Sequence, residues 1–227
     1  MRVTGSYIYG RRRASAIRTT APTKNVPPPL ELHCSQAIIV DAKKFDYDRV
    51  EGLIAGLLEA LGEDPSREGL LETPRRIANF WQEFIEYDPG KIDTTFSAIK
   101  HHQMVCVTGM KVWSMCEHHM LPFWCDIAIA YIADDKVLGL SKFARIAHKH
   151  ACKLTLQEQL VADISAELKE ILNTEDVAVM AKGEHLCMSM RGIRTPHRMI
   201  SSALDGKFHH TEQRLEFLRL VDFSEFK

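Results

Sequence analysis

The sequence lacks any run of about 18 apolar residues, the length that a membrane-spanning helix needs, so we expect no membrane partner. It also lacks an excess of either charge: 29 Lys and Arg stand against 30 Asp and Glu, and a net charge of −1 gives no general attraction for nucleic acid. The six cysteines have no framework spacing, and a chain of 227 residues needs no disulfide staples. These absences argue against a membrane protein, a nucleic-acid-binding protein and a secreted disulfide scaffold, and they predict a cytoplasmic protein with reduced thiols.

Composition divides the chain into three regions. Residues 1–34 are rich in Arg and contain a single acidic residue, so we expect a disordered basic tail there; an organelle transit peptide is the alternative. Residues 35–100 have apolar residues at helical spacing and predict an N-terminal helical region, in which Gly62 ends the first helix and Thr73 caps the second. Residues 101–227 form the third region, in which short β-like runs appear between helical segments.

Short β-like runs and amphipathic helical segments follow one another in this third region without regular alternation. Such an order is typical of an α+β fold with an antiparallel sheet. Strands are expected from about 103, at 127–132, at 176–190 and at about 198–208, and helices at 141–152, 156–172 and 211–220. Ser141 is expected to cap the first of these helices.

The stretch from Cys116 to His119 has the densest group of potential metal ligands in the sequence. It places the thiol of Cys116 and the imidazoles of His118 and His119 within four residues. Far downstream, His185 and Cys187 add another imidazole and another thiol. Sulfur and nitrogen together are the ligands that Zn²⁺ prefers. Three such ligands leave a fourth position for water, which is typical of a catalytic zinc site.

Residues 184–191 are interpreted as an extended segment. Because side chains on a strand alternate between its two faces, four functional groups would share one face: His185, Cys187, Ser189 and Arg191. The apolar residues between them would then face the opposite way into apolar packing: Leu186, Met188 and Met190.

The spacing Cys116-x-x-His119 suits two ligands that converge on one ion across a turn. His118 is adjacent to His119 and would project elsewhere, which leaves it, together with His185, for proton transfer near neutral pH. We therefore expect the metal ligands to be Cys116, His119 and Cys187. A structural zinc with four ligands, of which His185 or His118 is the fourth, stays open as an alternative.

Two weaker signals lie between the clusters. The segment from Gly139 combines a glycine and Ser141 with the cations Lys142 and Arg145 at the start of a helix, an arrangement that could hold an anion. Gln157 and Glu158 begin the next helix, where an acidic residue also complements the helix dipole, so position alone assigns Glu158 no function.

Four segments taken together closely resemble the zinc-dependent GTP cyclohydrolase I family: SMCEHHMLP from Ser114, VLGLSKFAR from Val137, LQEQL from Leu156 and EHLCMSMRG from Glu184. The resemblance runs in order from about residue 45 to the C-terminus, and CEHH combined with HxCMxMRG is highly specific. It implies that residues 101–227 form a catalytic domain with the tunnelling fold, in which helices are layered on an antiparallel four-stranded sheet. It further implies a toroidal homodecamer with active sites at subunit interfaces. It also implies that GTP and water react to give formate and 7,8-dihydroneopterin triphosphate.

The resemblance assigns roles to the clustered cysteines and histidines. Cys116, His119 and Cys187 are similar to the zinc ligands of the family, in which a zinc-bound water attacks C8 of the guanine. His118 and His185 resemble the residues that move protons while the imidazole ring opens and formate leaves.

The resemblance also assigns contacts with GTP. Gln157 and Glu158 resemble the pair that reads guanine, since a carboxylate can accept hydrogen bonds from N1–H and from the exocyclic amine together. Ser141 resembles the residue that serves the later ribose rearrangement. The triphosphate is implied to bind a set of cations: Lys142, Arg145 and Arg191, with Arg76 contributed by a neighbouring subunit.

Several positions depart from the family pattern. Cys125 replaces a usual Gly, Ala133 a usual Pro and Asn79 a common Lys, and the usual Ser/Thr-rich strand is altered at 199–205. None of these changes removes an implied zinc ligand or proton carrier. The change at Asn79 could weaken triphosphate binding, and the altered strand could change subunit packing.

Two other functions use the same residues. One is a zinc-stabilised paralogue that associates with partners without turnover. The other is an enzyme that opens the guanine ring and does not complete the pterin.

Overall fold

The structure, a computed structural model, describes residues 45–97 and 103–221. The predicted basic tail, residues 1–34, lies outside the described residues. The elements in chain order are α1 Tyr47–Ala60, α2 Thr73–Ile85, β1 Thr95–Ser97, β2 Met104–Cys116, β3 Pro122–Ile132, β4 Lys136–Leu138, α3 Leu140–Ala151, β5 Leu154–Thr155, α4 Gln157–Leu172, β6 Val177–His185, α5 Leu186–Ser189, β7 Met199–Leu204, a 3₁₀ turn Gly206–His209 and α6 Thr211–Leu220. None of the helices described is long and apolar enough to cross a membrane.

A five-stranded sheet in the order β5-β2-β3-β6-β7 organises the fold. Its four longer strands, β2, β3, β6 and β7, pair antiparallel, as the sequence predicted. The two-residue strand β5 adds a parallel edge beside the end of β2, so the sheet has one strand more than the four expected. Strands β1 and β4 form a separate two-stranded ribbon.

The central strand β3 is buried on both faces, and its alternating side chains divide the core. Phe123, Ile127 and Ile129 face one cluster, which the apolar sides of α3 and α4 complete. Ala128 and Ala130 face a second cluster, to which α6 and the 3₁₀ turn contribute Phe217 and Phe208. A period of two residues on a strand between two layers produces this division.

The helices at the N-terminal end of the described chain follow their predicted boundaries closely. The side chain of Asp46 accepts a hydrogen bond from the Arg49 amide and caps α1, and Gly62, with φ +84°, follows its last turn. Helix α2 begins at Thr73 with Glu72 at the capping position, so the expectation that Thr73 caps it is wrong by one residue.

Two further boundaries differ from prediction. Gly139 occupies the capping position of α3, and Ser141 lies exposed inside the first turn, so Ser141 is not the cap. Strand β7 ends at Leu204, because the chain then turns at Asp205 and enters the 3₁₀ helix.

Strand β6 ends at His185, well before the predicted position 190. Its neighbours explain the boundary: β3 offers Phe123 as the partner of His185, and β7 starts at Met199 opposite Gly183. Beyond His185 neither neighbouring strand continues. Backbone groups without a ladder partner are satisfied within a helical turn, and α5 provides that turn.

The expectation that Cys187, Ser189 and Arg191 share a strand face with His185 is therefore wrong. Met188 and Met190, expected in apolar packing, are exposed instead. The cysteine nevertheless reaches the predicted group, because α5 turns it back towards the end of β2.

Candidate metal centre

Three side chains that the sequence predicted as metal ligands converge in the structure. The sulfur atoms of Cys116 and Cys187 and a ring nitrogen of His119 all lie within 4.8 Å of one another. Cys116 Sγ and His119 Nδ1 are 4.0 Å apart. Cys116 is buried, Cys187 is half-buried and His119 is exposed, so the group opens to solvent on one side.

The turn between β2 and β3 brings Cys116 and His119 together. The last residue of β2 is Cys116, whose carbonyl accepts hydrogen bonds from the His119 and Met120 amides at 3.4 and 2.8 Å. Met120 adopts φ +51°, a left-handed conformation that closes the turn. The amide of Glu117 donates to the Thr155 carbonyl, which ties this turn to the start of α4.

Cys187 comes from the second position of α5. Burial raises the pKa of its thiol, and the charge of Cys116 and a hydrogen bond to it raise that pKa further, while Arg191 opposes the shift. Two sulfurs this close repel each other as thiolates unless a cation lies between them.

The donor set matches a bound zinc ion. Ligand atoms on a tetrahedral zinc at ordinary Zn–S and Zn–N distances are separated by roughly 3.5 to 3.8 Å, close to the spacing found here. Within the described part of the chain the group has three members, which agrees with three protein ligands and one further position. His185, one of the two candidates for a fourth ligand, instead uses its Nε2 in a hydrogen bond to Gln157 at 3.0 Å.

His185 is held firmly beside this group. Its ring stacks on Phe123, with ring centroids 4.5 Å apart and planes 6° from parallel. Burial lowers its pKa below the usual range, and His197 lowers it further, whereas the charge of Glu158 opposes the shift. The ring is therefore neutral near pH 7 and can accept a proton.

His118 and Glu158 are exposed at the mouth of the site. The ring of His118 stands at 87° to that of its neighbour His119, with ring centroids 6.2 Å apart, and His118 is not a member of the group formed by Cys116, His119 and Cys187. Glu158 lies in the first turn of α4, near enough to His185 to influence its charge.

Gln157 does not face the solvent. Its side chain is fully buried, and its amide is bonded on both ends to other parts of the protein. Its neighbour Glu158 is exposed, so the two residues predicted to contact guanine differ in their access to solvent.

Two of the four predicted phosphate-binding cations contact the loop that follows α2. Lys142 Nζ donates to the Lys91 carbonyl at 2.8 Å, and Arg145 donates to the Pro89 carbonyl. Arg191 is exposed close to Cys187. Arg76 is exposed on α2, in the N-terminal helical pair.

Sequence reasoning missed two members of the site. Phe123 stacks on His185. It follows Pro122, the first residue of β3, and it lies opposite His185 of β6, so its position next to a strand start was the available sequence signal. His197 accepts a hydrogen bond from the His185 amide through Nε2 at 3.4 Å, with ring centroids 6.0 Å apart. No spacing rule connects positions 185 and 197, because the loop between them is irregular.

Two departures from the family pattern have structural explanations. Cys125 is fully buried on β3 opposite Gly183, and burial raises the pKa of its thiol to about 12. Asn79 accepts a hydrogen bond from the Tyr47 hydroxyl at 2.7 Å and so joins α1 to α2.

An α+β fold that carries a three-membered sulfur–nitrogen group, with two further histidines and a carboxylate beside it, has the side chains of a metal-dependent enzyme. Comparison with known proteins leads to the same class of protein. The sequence profile described as GTP cyclohydrolase I matches residues 50–222. The chain belongs to the GTP cyclohydrolase I family and is an enzyme of that type.

Relatives named GTP cyclohydrolase 1 support the assignment. The protein of Aquifex aeolicus (strain VF5) is 42% identical over 181 residues, which cover 78% of this chain and 97% of the relative. The protein of Sulfurihydrogenibium sp. (strain YO3AOP1) is 40% identical over 180 residues, covering 78% and 96%. That of Hyperthermus butylicus is 38% identical over 180 residues, covering 78% and 92%. A solved archaeosine synthase QueF-Like structure in the apo form matches 44% of this chain and 92% of its own at 16% identity, but a TM-score of 0.34 establishes nothing further.

Proposed function

We propose that this protein is a GTP cyclohydrolase I that opens the imidazole ring of GTP with water, releases formate and forms 7,8-dihydroneopterin triphosphate. The observation that carries the proposal is the convergence of Cys116, His119 and Cys187 at the end of the sheet, with His185 held beside them. Family membership supports the reaction, and this geometry supports the roles proposed below for individual residues.

The proposed metal is zinc, held by Cys116, His119 and Cys187. When bound, zinc lowers the pKa of a coordinated water towards neutrality and so supplies the nucleophile that the reaction needs. Thiolate ligands require reduced cysteines, and we propose a cytoplasmic setting for that reason.

Two histidines are proposed to move protons. His185 is neutral near pH 7, because burial lowers its pKa, and it can therefore take up a proton beside the reacting ring and return it. His118 is exposed in the turn after β2, where its ring is proposed to be available to the substrate. Together they can serve the protonation of the guanine ring and the departure of formate.

Recognition of guanine is proposed to rest on Glu158. Its exposed carboxylate can accept from N1–H and the exocyclic amine, a pair of donors that adenine does not present. Gln157 next to it, which the resemblance also assigns to guanine, has its amide hydrogen-bonded inside the protein.

The triphosphate is proposed to bind Lys142, Arg145 and Arg191. The first two donate to carbonyls of the loop after α2, and phosphate oxygens would replace those neutral acceptors with charged ones. Ser141, exposed in the same first turn of α3, is proposed to serve the ribose rearrangement.

The proposed assembly is a homodecamer with the tunnelling fold, in which a neighbour contributes Arg76. Helix α1 supports an assembly, because it has no buried residue in the single chain and exposes Leu53, Leu57 and Leu61. Trp113 on β2 is also more than half exposed. Apolar surface of this kind is typical of chains that associate.

The test is incubation of the zinc-loaded protein with GTP, followed by oxidation, pterin fluorescence and a formate assay. Turnover to a fluorescent pterin supports the proposal. Metallated protein that yields neither product refutes it and leaves the zinc-stabilised paralogue. Formate without pterin, or an accumulated formamidopyrimidine, identifies an enzyme that stops early.

A set of variants assigns the roles. His118→Gln should retain zinc and lose about 10²- to 10⁴-fold in kcat, the range usual for a proton-transfer residue. Cys187→Ser should lose zinc as well. Matched zinc content with unequal activity separates a proton carrier from a ligand.

A further inference from the structure

Gln157 is the most completely enclosed polar side chain near the metal centre. It has no solvent exposure and lies at the first position of α4. Its amide nitrogen donates to the Ala181 and Met199 carbonyls, both at 3.1 Å. Its amide oxygen lies 3.0 Å from His185 Nε2.

These contacts fix which end of the amide faces the histidine. Backbone carbonyls only accept hydrogen bonds, so the NH₂ group must face Ala181 and Met199. The Ser201 hydroxyl, 3.1 Å from the same nitrogen, is a third acceptor for it. Turning the amide over would place its oxygen against two carbonyl oxygens and leave buried groups unsatisfied.

The amide in turn fixes the tautomer of His185. An amide oxygen cannot donate, so the short contact requires a hydrogen on His185 Nε2. In the neutral ring the lone pair then resides on Nδ1. A half-turn of the ring about its Cβ–Cγ bond would carry Nε2 away from the amide oxygen, and the ring could not make that turn without breaking its stacking on Phe123.

Gly183 makes this arrangement possible. A Cβ at that position would lie 2.6 Å from Gln157 Oε1, so only glycine lets the amide approach β6 closely enough to reach the histidine. The glycine, the amide and the ring thus form one packed unit.

We infer that Gln157 is a positioning residue that holds His185 as the Nε2–H tautomer and makes Nδ1 the atom that exchanges protons with the substrate. When Nδ1 takes a proton the ring becomes an imidazolium, whose Nε2–H continues to donate to the amide oxygen. When Nδ1 gives that proton back, the original neutral tautomer is restored. This inference deepens the proposed function and rests on it for the identity of the substrate.

The first experiment reads the tautomer without turnover. Zinc-loaded protein labelled with ¹⁵N-histidine is measured by solid-state NMR at a pH where the ring is neutral, and the His185 signals are assigned by comparison with His185→Gln. The expected result is a protonated Nε2 and an unprotonated Nδ1. A protonated Nδ1, or an even mixture of tautomers, overturns the inference even if the enzyme is active.

The second experiment uses Gln157→Met, which is similar in size and has no oxygen acceptor. With GTP, kcat should fall about 10- to 100-fold, the usual effect of removing an outer-shell partner. KM and zinc content should stay close to those of the unaltered protein, and the His185 spectrum should become a mixture. A raised KM with unchanged kcat would mean that the side chain contacts guanine instead.

Gln159→Met is the matched control. Gln159 lies on the same first turn, is exposed, and donates to Asp163 at 2.6 Å, away from the histidine. Its kcat, KM and His185 spectrum should not change. If Gln157→Met fails to fold, the spectrum of the unaltered protein still decides the tautomer. If the unaltered protein does not turn over GTP, the proposed function fails while the tautomer measurement stands.

Discussion

Replacing Gly183 with alanine tests the packing of the site. The added Cβ would lie 2.6 Å from Cys125 Sγ, from Gln157 Oε1 and from the Trp124 carbonyl oxygen. Each distance is well below ordinary van der Waals contact. The Trp124 carbonyl belongs to the ladder between β3 and β6, so it cannot retreat without disturbing strand pairing.

The expected loss follows from these contacts. Forcing one methyl group into a filled core destabilises by about 1 to 3 kcal/mol. For a domain of this size each kcal/mol shifts Tm by about 2 to 4 °C, so Gly183→Ala should lower Tm by about 2 to 12 °C. The assay is thermal unfolding followed by circular dichroism, at fixed protein and zinc concentrations, because association and metal binding also change Tm.

Two comparisons make the result specific. Gly56→Ala places its Cβ where no atom lies within 4 Å, and an alanine inside helix α1 should hold or raise Tm. In a Cys125→Gly background one of the three close contacts is gone, so Gly183→Ala should cost less there by about 0.5 kcal/mol or more. A Tm within about 1 °C of the unaltered protein, or an equal cost in both backgrounds, would refute the packing argument.

Three further outcomes are expected. Burial raises the pKa of Cys106 to about 11 and that of Cys125 to about 12, so at pH 8 only about 0.1% and 0.01% of each is thiolate. Mass spectrometry after iodoacetamide treatment should find both cysteines unalkylated. Removal of zinc with a chelator should make the two proposed ligand cysteines, Cys116 and Cys187, reactive. Rapid labelling of Cys125 would contradict its burial. Lys142→Met should raise KM for GTP about 10- to 150-fold, the value of one charged hydrogen bond, and steady-state kinetics showing an unchanged KM would remove it from the phosphate site. Burial lowers the pKa of His148, so its contribution to stability is complete above the unfolded pKa of about 6.5 and is lost as pH falls through the lower folded value. His148→Gln should therefore lessen the loss of urea stability between pH 7 and 5, and parallel pH curves would count against this.

Local patterns predicted that the side chains of Cys116, His119 and Cys187 would lie together, and they do. Cys116 and His119 are joined by a single turn, so their separation of three positions in the sequence was enough to predict that their side chains lie close together. The long helix 157–172 was equally accessible, because its apolar residues repeat at helical spacing over several turns.

The largest error of the sequence-based prediction, the end of β6, depends on distant partners. The end of β6 is set by where β3 and β7 begin, and nothing within residues 184–191 reports those positions. The family resemblance pairs Gln157 with its neighbour Glu158 as a guanine contact, and nothing in the sequence indicated that the Gln157 side chain is buried. Its burial depends on the Ala181 and Met199 carbonyls, which come from two other strands.

The metal group lies where the backbone ladder of the sheet stops. Cys116 and His119 bracket the turn after β2, and Cys187 follows the last paired residue of β6. Strand ends of this kind ordinarily fray, since they have no further cross-strand hydrogen bonds. A metal ion bound by the turn after β2 and by the turn after β6 would join the two strand ends through coordination bonds, where backbone hydrogen bonds are no longer available. Loss of the metal would then cause local unfolding at this end of the sheet. The core between β3 and the helices that cover it would remain folded.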